Sequence, residues 1–145
     1  MRAKVLNDDR ERTFAIIFDS GDEVTSGLTR FAREQNLSAA RFTAIGAFRS
    51  AVLGYFDWQK KDYERNPIDD QVEVLALVGD VALANGEPKI HAHVVLGMRD
   101  GTARGGHLLE AQVRPTLEVI LTESPGYLKR EFDPESGLAL IRIGD

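Results

Sequence analysis

Apolar and polar residues follow two different periods along this chain, and each period predicts one kind of element. Residues 13–18, read "TFAIIF", are aromatic and β-branched and predict a strand. Apolar residues then recur at the three- and four-residue spacing of a helix, at Val24, Leu28, Phe31 and Ala32. The pattern therefore predicts a strand followed by an amphipathic helix.

The residues around this helix predict where it begins and ends. Ser20 followed by Glu23 forms a capping-box pattern, in which the hydroxyl and the carboxylate each accept a hydrogen bond from a backbone N–H. Asn36 is a residue type that commonly follows the last helical turn. We therefore expect a helix that begins after Ser20, ends near Asn36 and packs one apolar stripe against a sheet.

The rest of the chain is dominated by apolar runs rich in β-favouring residues. These runs read "ARFTAIGAF", "AVLGYFDW", "QVEVLALVGDVAL", "IHAHVVLGM", "PTLEVILTE" and "GLALIRI". Turns are expected at "RNPIDD" and "NGEP", and "SPGYLKREFDPESG" indicates a loop with a short helical piece. The pattern predicts an α+β fold, a largely antiparallel sheet with one main helix packed on it, and we expect residues 1–145 to form a single domain.

Composition narrows the possible functions. The chain has no cysteine, so histidine and carboxylates are the available metal ligands. The N-terminal "MRAKVLNDDRERTF" has no apolar run of signal-peptide length, and no segment approaches the roughly 20 apolar residues of a membrane span. We therefore expect a cytoplasmic protein with no membrane partner. The net charge of -5 disfavours generic DNA binding.

All three histidines fall within "HAHVVLGMRDGTARGGH", residues 91–107. Side chains two residues apart on a strand share a face, so His91 and His93 can converge on one point. Asp100-Gly101 is a strong hairpin signal, and an antiparallel return would bring His107 beside the other two histidines.

The register of this hairpin decides whether the third histidine shares their face. A two-residue turn at Asp100-Gly101 would place His107 opposite Val94, on the wrong face. One inserted residue, as a bulge at Gly105-Gly106, would place it opposite Val95 and correct the face. A different loop length would achieve the same parity.

Three neutral imidazoles can hold one divalent transition metal and leave a position for water or another ligand. We expect His91, His93 and His107 to be the ligands and zinc to be the favoured ion, although imidazole also suits nickel, copper and iron. The alternative interpretation is that His91 and His93 line a solvated sheet face and His107 caps a turn.

Two classes of function remain open. One is a regulatory or binding oligomer, favoured because G-x-S-x-G, Walker and HExxH motifs are all absent. The other is a small-molecule metalloenzyme, for which Glu110 or Glu118 would be the candidate base. Arg49 and Arg104 would be candidates to hold an anionic substrate. Each of these four residues has an ordinary alternative role on the surface or in an ion pair.

The segment "GEPKIHAHVVLGMRDGTARGGHLLEAQVRPTLEVILTE", with "AIGAFRSAVLGYFD" before it, resembles the PPC domain, short for plants and prokaryotes conserved. The resemblance implies an α+β sheet with a packed helix, a homotrimer, and a metal such as zinc on His91, His93 and His107. In plants the domain follows AT-hook segments in nuclear DNA-binding proteins. The resemblance thus implies a regulatory or DNA-associated role.

This chain has no AT-hook, because no R-G-R core with flanking basic residues occurs in it. We therefore expect weak contact with generic DNA at most. Assembly of three chains could still bring local basic residues together, although a solvated face is the simpler interpretation of them. The basic residues considered are Arg41, Arg49, Lys60, Lys61 and Arg65.

Overall fold

The computed structural model describes residues 1–7, 11–124 and 128–143, and these residues form nine strands and one helix. The elements in chain order are β1 Arg2–Asn7, β2 Thr13–Asp19, α1 Val24–Glu34, β3 Ala39–Asp57, β4 Asp62–Ile68, β5 Val72–Ala84, β6 Glu87–Gly97, β7 Ala103–Glu123, β8 Lys129–Asp133 and β9 Leu138–Arg142. The predicted strand at residues 13–18 is confirmed as β2. With one helix of 11 residues, the fold is richer in strand than the term α+β suggests.

The helix begins later than the capping-box pattern predicts. Glu23, not Ser20, is the N-cap, and its carboxylate accepts hydrogen bonds from the backbone N–H groups of Thr25 at 3.1 Å and Ser26 at 2.7 Å. One carboxylate with two oxygens satisfies both donors, so the serine hydroxyl is not needed. The expected stop is confirmed, because Asn36 adopts a left-handed φ of 55° just after the helix.

The strands form one sheet that is antiparallel throughout except where β5 meets β8. Strands β3, β5, β6 and β7 form a closed circuit, in which each pairs with the next and β7 returns to β3. Strands β2 and β1 extend the sheet from β7, β4 pairs with β3, and β9 pairs with β8. The predicted largely antiparallel sheet is thus confirmed.

The sheet has an inner face, covered by α1, and an outer face. Inward side chains such as Phe18, Leu77, Val94 and Leu117 are at most 2% exposed and form the core together with the predicted helix stripe. The stripe residues Val24, Leu28, Phe31 and Ala32 are all buried. Alternate residues of the same strands point to the outer face, where the histidines lie.

Two segments predicted as non-strand belong to strands. Residues 65–68 of "RNPIDD" are part of β4, which tolerates Pro67 because, among the described strands, β4 pairs only with β3. The short helical piece expected in "SPGYLKREFDPESG" is not formed in the described part of that segment. Residues 129–133 form β8 instead and 134–137 a turn, while residues 125–127 lie outside the described ranges.

Two other predictions are confirmed. The turn at "NGEP" is a two-residue hairpin loop of Asn85 and Gly86, with φ values of 53° and 82°. The run "GLALIRI" contains β9. In the described ranges, no helix combines the length and the apolar character needed to cross a membrane.

Candidate metal centre

The β6–β7 hairpin places the third histidine by its loop length. The N–H of Met98 donates to the carbonyl of Thr102 at 2.8 Å, and the N–H of Gly101 donates to the carbonyl of Met98 at 3.0 Å. A three-residue loop, residues 99–101, therefore replaces the expected two-residue turn, with Gly101 at a φ of 81°. The extra residue puts His107 directly opposite His93 and on the same face.

The predicted bulge at Gly105-Gly106 is wrong, because the β6–β7 register runs evenly past both glycines. The glycines have a steric role instead. A Cβ on Gly106 would lie 2.9 Å from the carbonyl oxygen of Gly54, and one on Gly105 would lie 3.1 Å from that of Val94. Close approach of the flanking strands, rather than an unusual φ, explains the pair.

The three histidines converge on the outer face. Nε2 of His91 and Nε2 of His93 are 3.2 Å apart, and one ligand nitrogen from each of the three rings lies within 4.8 Å of the others. Two nitrogens that share a tetrahedral zinc ion are about 3.3 Å apart, since each lies about 2.0–2.1 Å from the metal. The three rings could therefore hold a divalent transition ion if small side-chain movements brought their ligand nitrogens closer together.

Two neighbouring side chains orient the rings. Nδ1 of His91 lies 3.8 Å from a carboxylate oxygen of Asp80, and Nδ1 of His107 lies 3.5 Å from the hydroxyl of Tyr63. Both groups lie beside Nδ1, so Nε2 of each ring is left available to a metal. Gly54 makes room for this arrangement, because a Cβ there would approach the Tyr63 ring to 2.8 Å.

The electrostatics of the cluster favour neutral imidazole. Burial lowers the pKa of His91, and the positive charge of Arg130 lowers it further. Burial, followed by the proximity of His91 and His93, lowers the pKa of His107 to about 4. Burial also raises the pKa of Tyr63, so its hydroxyl stays protonated. Neutral imidazole is the form that binds metals, so the lowered pKa values of His91 and His107 favour metal binding by these two rings.

The candidate accessory residues do not join the cluster. Glu110 forms an ion pair with Arg65, and Glu118 lies between Ile17 and Ile45 in the sheet, eleven residues along β7 from His107. Neither is placed to act as a base at the histidines.

The two candidate arginines are likewise elsewhere. Arg104 lies opposite Leu96, three residues before His107, and odd spacing along a strand directs side chains to opposite faces. Arg49 lines a separate surface cleft with Gln112 and Arg114.

Three residues near the cluster were missed by sequence reasoning, namely Asp80, Tyr63 and Arg130. Asp80 had a signal, because it is the one charged residue within residues 74–84 of an otherwise apolar strand. Tyr63 and Arg130 had none, since they reach the site from β4 and β8 through tertiary packing. Arg130 is buried and forms an ion pair with Asp80.

A cleft of about 130 Å³ opens beside the cluster, between the histidines and the β8–β9 hairpin. Its walls combine aromatic rings, cations and aliphatic side chains. The lining residues are Tyr63, Lys89, Ile90, His91, His107, Arg130, Leu138, Ala139 and Leu140.

The fold and the cluster together define a class of small, mainly antiparallel-sheet proteins with three histidines on one sheet face. The family model of the Plants and Prokaryotes Conserved domain, abbreviated PCC or PPC, matches residues 6–125. This chain therefore belongs to the PPC family, and the resemblance noted in the sequence is confirmed. No curated protein sequence matches this chain.

Solved structures support the assignment. A PPC protein from Pyrococcus horikoshii is 32% identical, with a TM-score of 0.86 over 92% of this chain and 93% of that one. A metal-containing protein from Archaeoglobus fulgidus is 35% identical, with a TM-score of 0.84 over 98% and 97%. A candidate DNA-binding protein from Ralstonia eutropha is 29% identical, with a TM-score of 0.85 over 90% and 91%.

Proposed function

We propose that this PPC protein is a metal-binding homotrimer that holds one zinc ion through His91, His93 and His107 and serves as a regulatory or binding module. The observation that carries the proposal is the 3.2 Å contact between the Nε2 atoms of His91 and His93, with His107 completing the set. Such a contact between neutral imidazoles is typical of two ligands of one ion. A bound zinc ion would supply an open coordination position for an exogenous ligand.

Two further features support the metal. The Asp80 carboxylate and the Tyr63 hydroxyl each face Nδ1 of a cluster histidine, which directs Nε2 inward. The similar protein from Archaeoglobus fulgidus is described as metal-containing. Three imidazole donors favour a transition ion such as zinc over magnesium or calcium, which prefer oxygen ligands.

The outer face supports self-association. Ile120, Thr43, Val78 and His93 are successive cross-strand partners, so a row of apolar residues runs up to the histidines. Large apolar side chains on this face are 42–61% exposed and form what we call the apolar patch. The members of the apolar patch are Ile45, Leu75, Val78, Val95 and Ile120. An apolar surface of this kind is typical of a subunit interface.

The metal is tested by elemental analysis of protein purified without a histidine tag and dialysed against zinc. We expect about one zinc per chain in the natural protein and a near-complete loss in His93→Ala, because two imidazoles hold zinc far more weakly than three. Arg104→Gln is the matched control, since Arg104 lies in the same hairpin but faces away from the cluster. Equal zinc in the natural protein and His93→Ala would refute the proposal.

DNA association is the regulatory role that the Ralstonia eutropha relative suggests. In this chain, several of the basic residues considered for it are engaged with other groups. Lys60 pairs with Asp57 and Glu64, and Arg65 pairs with Glu110. The paired charges favour the solvated-face interpretation, so we propose that any contact with generic DNA is weak.

A small-molecule metalloenzyme is the second candidate, and the cleft beside the histidines is the observation that favours it. A bound zinc ion could polarise a substrate carbonyl or activate water there. The cluster has no free carboxylate in the described residues to serve as a base, since Asp80 pairs with Arg130. Turnover of a carboxylic ester or a keto acid that disappears in both His93→Ala and chelator-treated protein would favour the enzyme over the binding module.

A further inference from the structure

The cleft beside the histidines has the size of a small organic molecule. Its volume of about 130 Å³ compares with the roughly 150 Å³ of a cavity that accepts benzene, so about six non-hydrogen atoms fit. Its lining includes the metal-ligand candidates His91 and His107 and residues of the β8–β9 hairpin. A ligand in the cleft would therefore lie within reach of the histidine cluster.

The charged groups of the cleft are all positive. Lys89 and Arg130 line it, and no carboxylate does. Lys89 is exposed, and no carboxylate of the described ranges pairs with it. Asp80 offsets much of the charge of Arg130, so Lys89 is the unpaired cation of a concave site that favours anions over cations in a chain of net charge -5.

The Arg130 side chain is built into this site. It is only 6% exposed, and one of its terminal nitrogens pairs with Asp80 while the other donates to the carbonyl of Ala139 at 3.2 Å. Its Nε has no hydrogen-bond partner in the described residues. Buried guanidinium donors are normally satisfied, so this solvent-inaccessible Nε leaves Arg130 with an incomplete set of hydrogen bonds beside the cleft.

The remaining wall is aliphatic. Ile90, Leu138 and Leu140 line it, and Leu140 is 38% exposed. An inorganic anion would leave this apolar surface in contact with water, whereas a hydrocarbon group would cover it. A lining that combines cationic and aliphatic side chains matches an amphipathic anion.

We propose that the cleft binds a small monocarboxylate with a short, branched hydrocarbon chain. The carboxylate lies between Lys89, Arg130 and the histidine cluster, and the hydrocarbon part packs against Ile90, Leu138 and Leu140. The inference rests on the proposed metal centre for the additional contact at the histidines. The cleft side chains Lys89 and Leu140 are separate from that centre.

The test is calorimetric titration of the full chain, loaded with zinc and in parallel freed of metal, with isobutyrate as the probe. We expect millimolar or tighter binding of isobutyrate to the zinc-loaded chain. The neutral isostere isobutyramide should bind at least tenfold more weakly, because it cannot pair with the two cations. Equal binding of the two compounds would overturn the proposal, and sulfate binding as tightly as isobutyrate would overturn its apolar part.

Variants locate the binding. Lys89→Gln should weaken isobutyrate about threefold, as expected for loss of one exposed ion pair. Leu140→Asn should weaken it as well, whereas Lys129→Gln, a matched exposed lysine outside the cleft, should have no effect. These variants avoid the buried Arg130, whose replacement could unfold the chain. Unchanged affinity in both Lys89→Gln and Leu140→Asn would refute the proposal.

Zinc content measured on the same samples separates the two proposals. A chain that holds one zinc ion but does not bind isobutyrate would support the proposed metal centre and refute the proposed carboxylate ligand. A chain that binds isobutyrate without holding zinc would keep the carboxylate cleft and refute the metal centre.

Discussion

The two faces of the sheet are built from the same strands and have opposite chemistry. On the inner face, residues such as Phe18 and Leu117 are fully buried against α1 and one another. On the outer face, the alternate positions carry exposed apolar residues, the histidines and Asp80. The inner face therefore maintains the fold of the single chain, whereas the outer face carries the groups on which the proposed metal, ligand and subunit contacts depend.

The odd or even position of a residue along a strand decides which face its side chain lies on, and so whether it contributes to the core or to the outer face. A residue on the inner face is constrained by packing volume, whereas its neighbour on the outer face is not packed within the chain and belongs to the surface proposed to bind the metal and other subunits. Val94 and His93 are adjacent in β6, yet Val94 is 2% exposed and in the core while His93 is exposed in the cluster. Substitutions on the inner face should therefore lower the stability of the chain, whereas those on the outer face should change metal binding or assembly.

The largest effect should come from the inner face. Phe18→Ala removes a ring of 0% exposure that packs against Gly27 of α1, and it should lower the free energy of unfolding by about 3–5 kcal/mol. Phe132→Ala is the matched control, because Phe132 is 70% exposed and should change stability by less than about 0.5 kcal/mol. Urea denaturation measures both. Similar losses for the two variants would contradict the assignment of the inner face as the core.

The outer face should respond in assembly rather than in chain stability. Ile120→Lys places a charge in the apolar patch, and it should weaken self-association by at least about 100-fold because an interface would bury that charge unpaired. Light scattering at micromolar concentration should show a trimer for the natural chain and a monomer for the variant.

Trp58→Lys is the control for this experiment, since Trp58 is 57% exposed, comparable with Ile120 at 46%, but lies outside the apolar patch. Loss of assembly in Trp58→Lys, with Ile120→Lys unaffected, would move the interface away from the outer face. A natural chain that is itself monomeric would remove the proposed interface altogether.

A smaller effect should appear as a pH dependence of the metal-free chain. The pKa of His107 is about 4 in the folded chain and about 6.5 in the unfolded one, so the unfolded chain binds more protons between these values. Stability is therefore full above pH 6.5 and falls as the pH drops toward 4, by about 1–3 kcal/mol. The lowered pKa of His91 acts in the same direction.

Urea midpoints at pH 7.5, 5.5 and 4.5 measure this loss, with His107→Gln as the comparison. Glutamine does not titrate, so the variant should lose less stability on acidification than the natural chain. An equal fall of the urea midpoint between pH 7.5 and pH 4.5 in the two proteins would show that the histidine cluster does not control stability in acid.

The smallest effect should be on generic double-stranded DNA. At a net charge of -5 per chain, and with Lys60 and Arg65 in ion pairs, binding should be weak or undetectable at physiological salt. Fluorescence anisotropy measures it, with an AT-hook protein as positive control. Submicromolar binding that weakens steeply with salt would instead show that a local basic surface binds nucleic acid despite the net charge.

Periodicity in the sequence was sufficient for most of the elements and for the cluster. The helix stripe from Val24 to Ala32, the Asn85-Gly86 turn and the convergence of the three histidines follow from local spacing and turn chemistry. Where a prediction was wrong, a different local structure satisfied the same requirement. A three-residue loop with Gly101 replaced the bulge, and Glu23 capped the helix without Ser20.

By itself, the sequence determined that this chain forms a mainly antiparallel sheet with one covering helix, because strand and helix periods are local properties. It also determined which residues can supply imidazole ligands, since histidine occurs only within residues 91–107. Tertiary structure alone decided what surrounds those donors. Asp80, Tyr63 and Arg130 come from β5, β4 and β8, and their meeting depends on pairings between segments distant in the chain, for which the local pattern carries no signal.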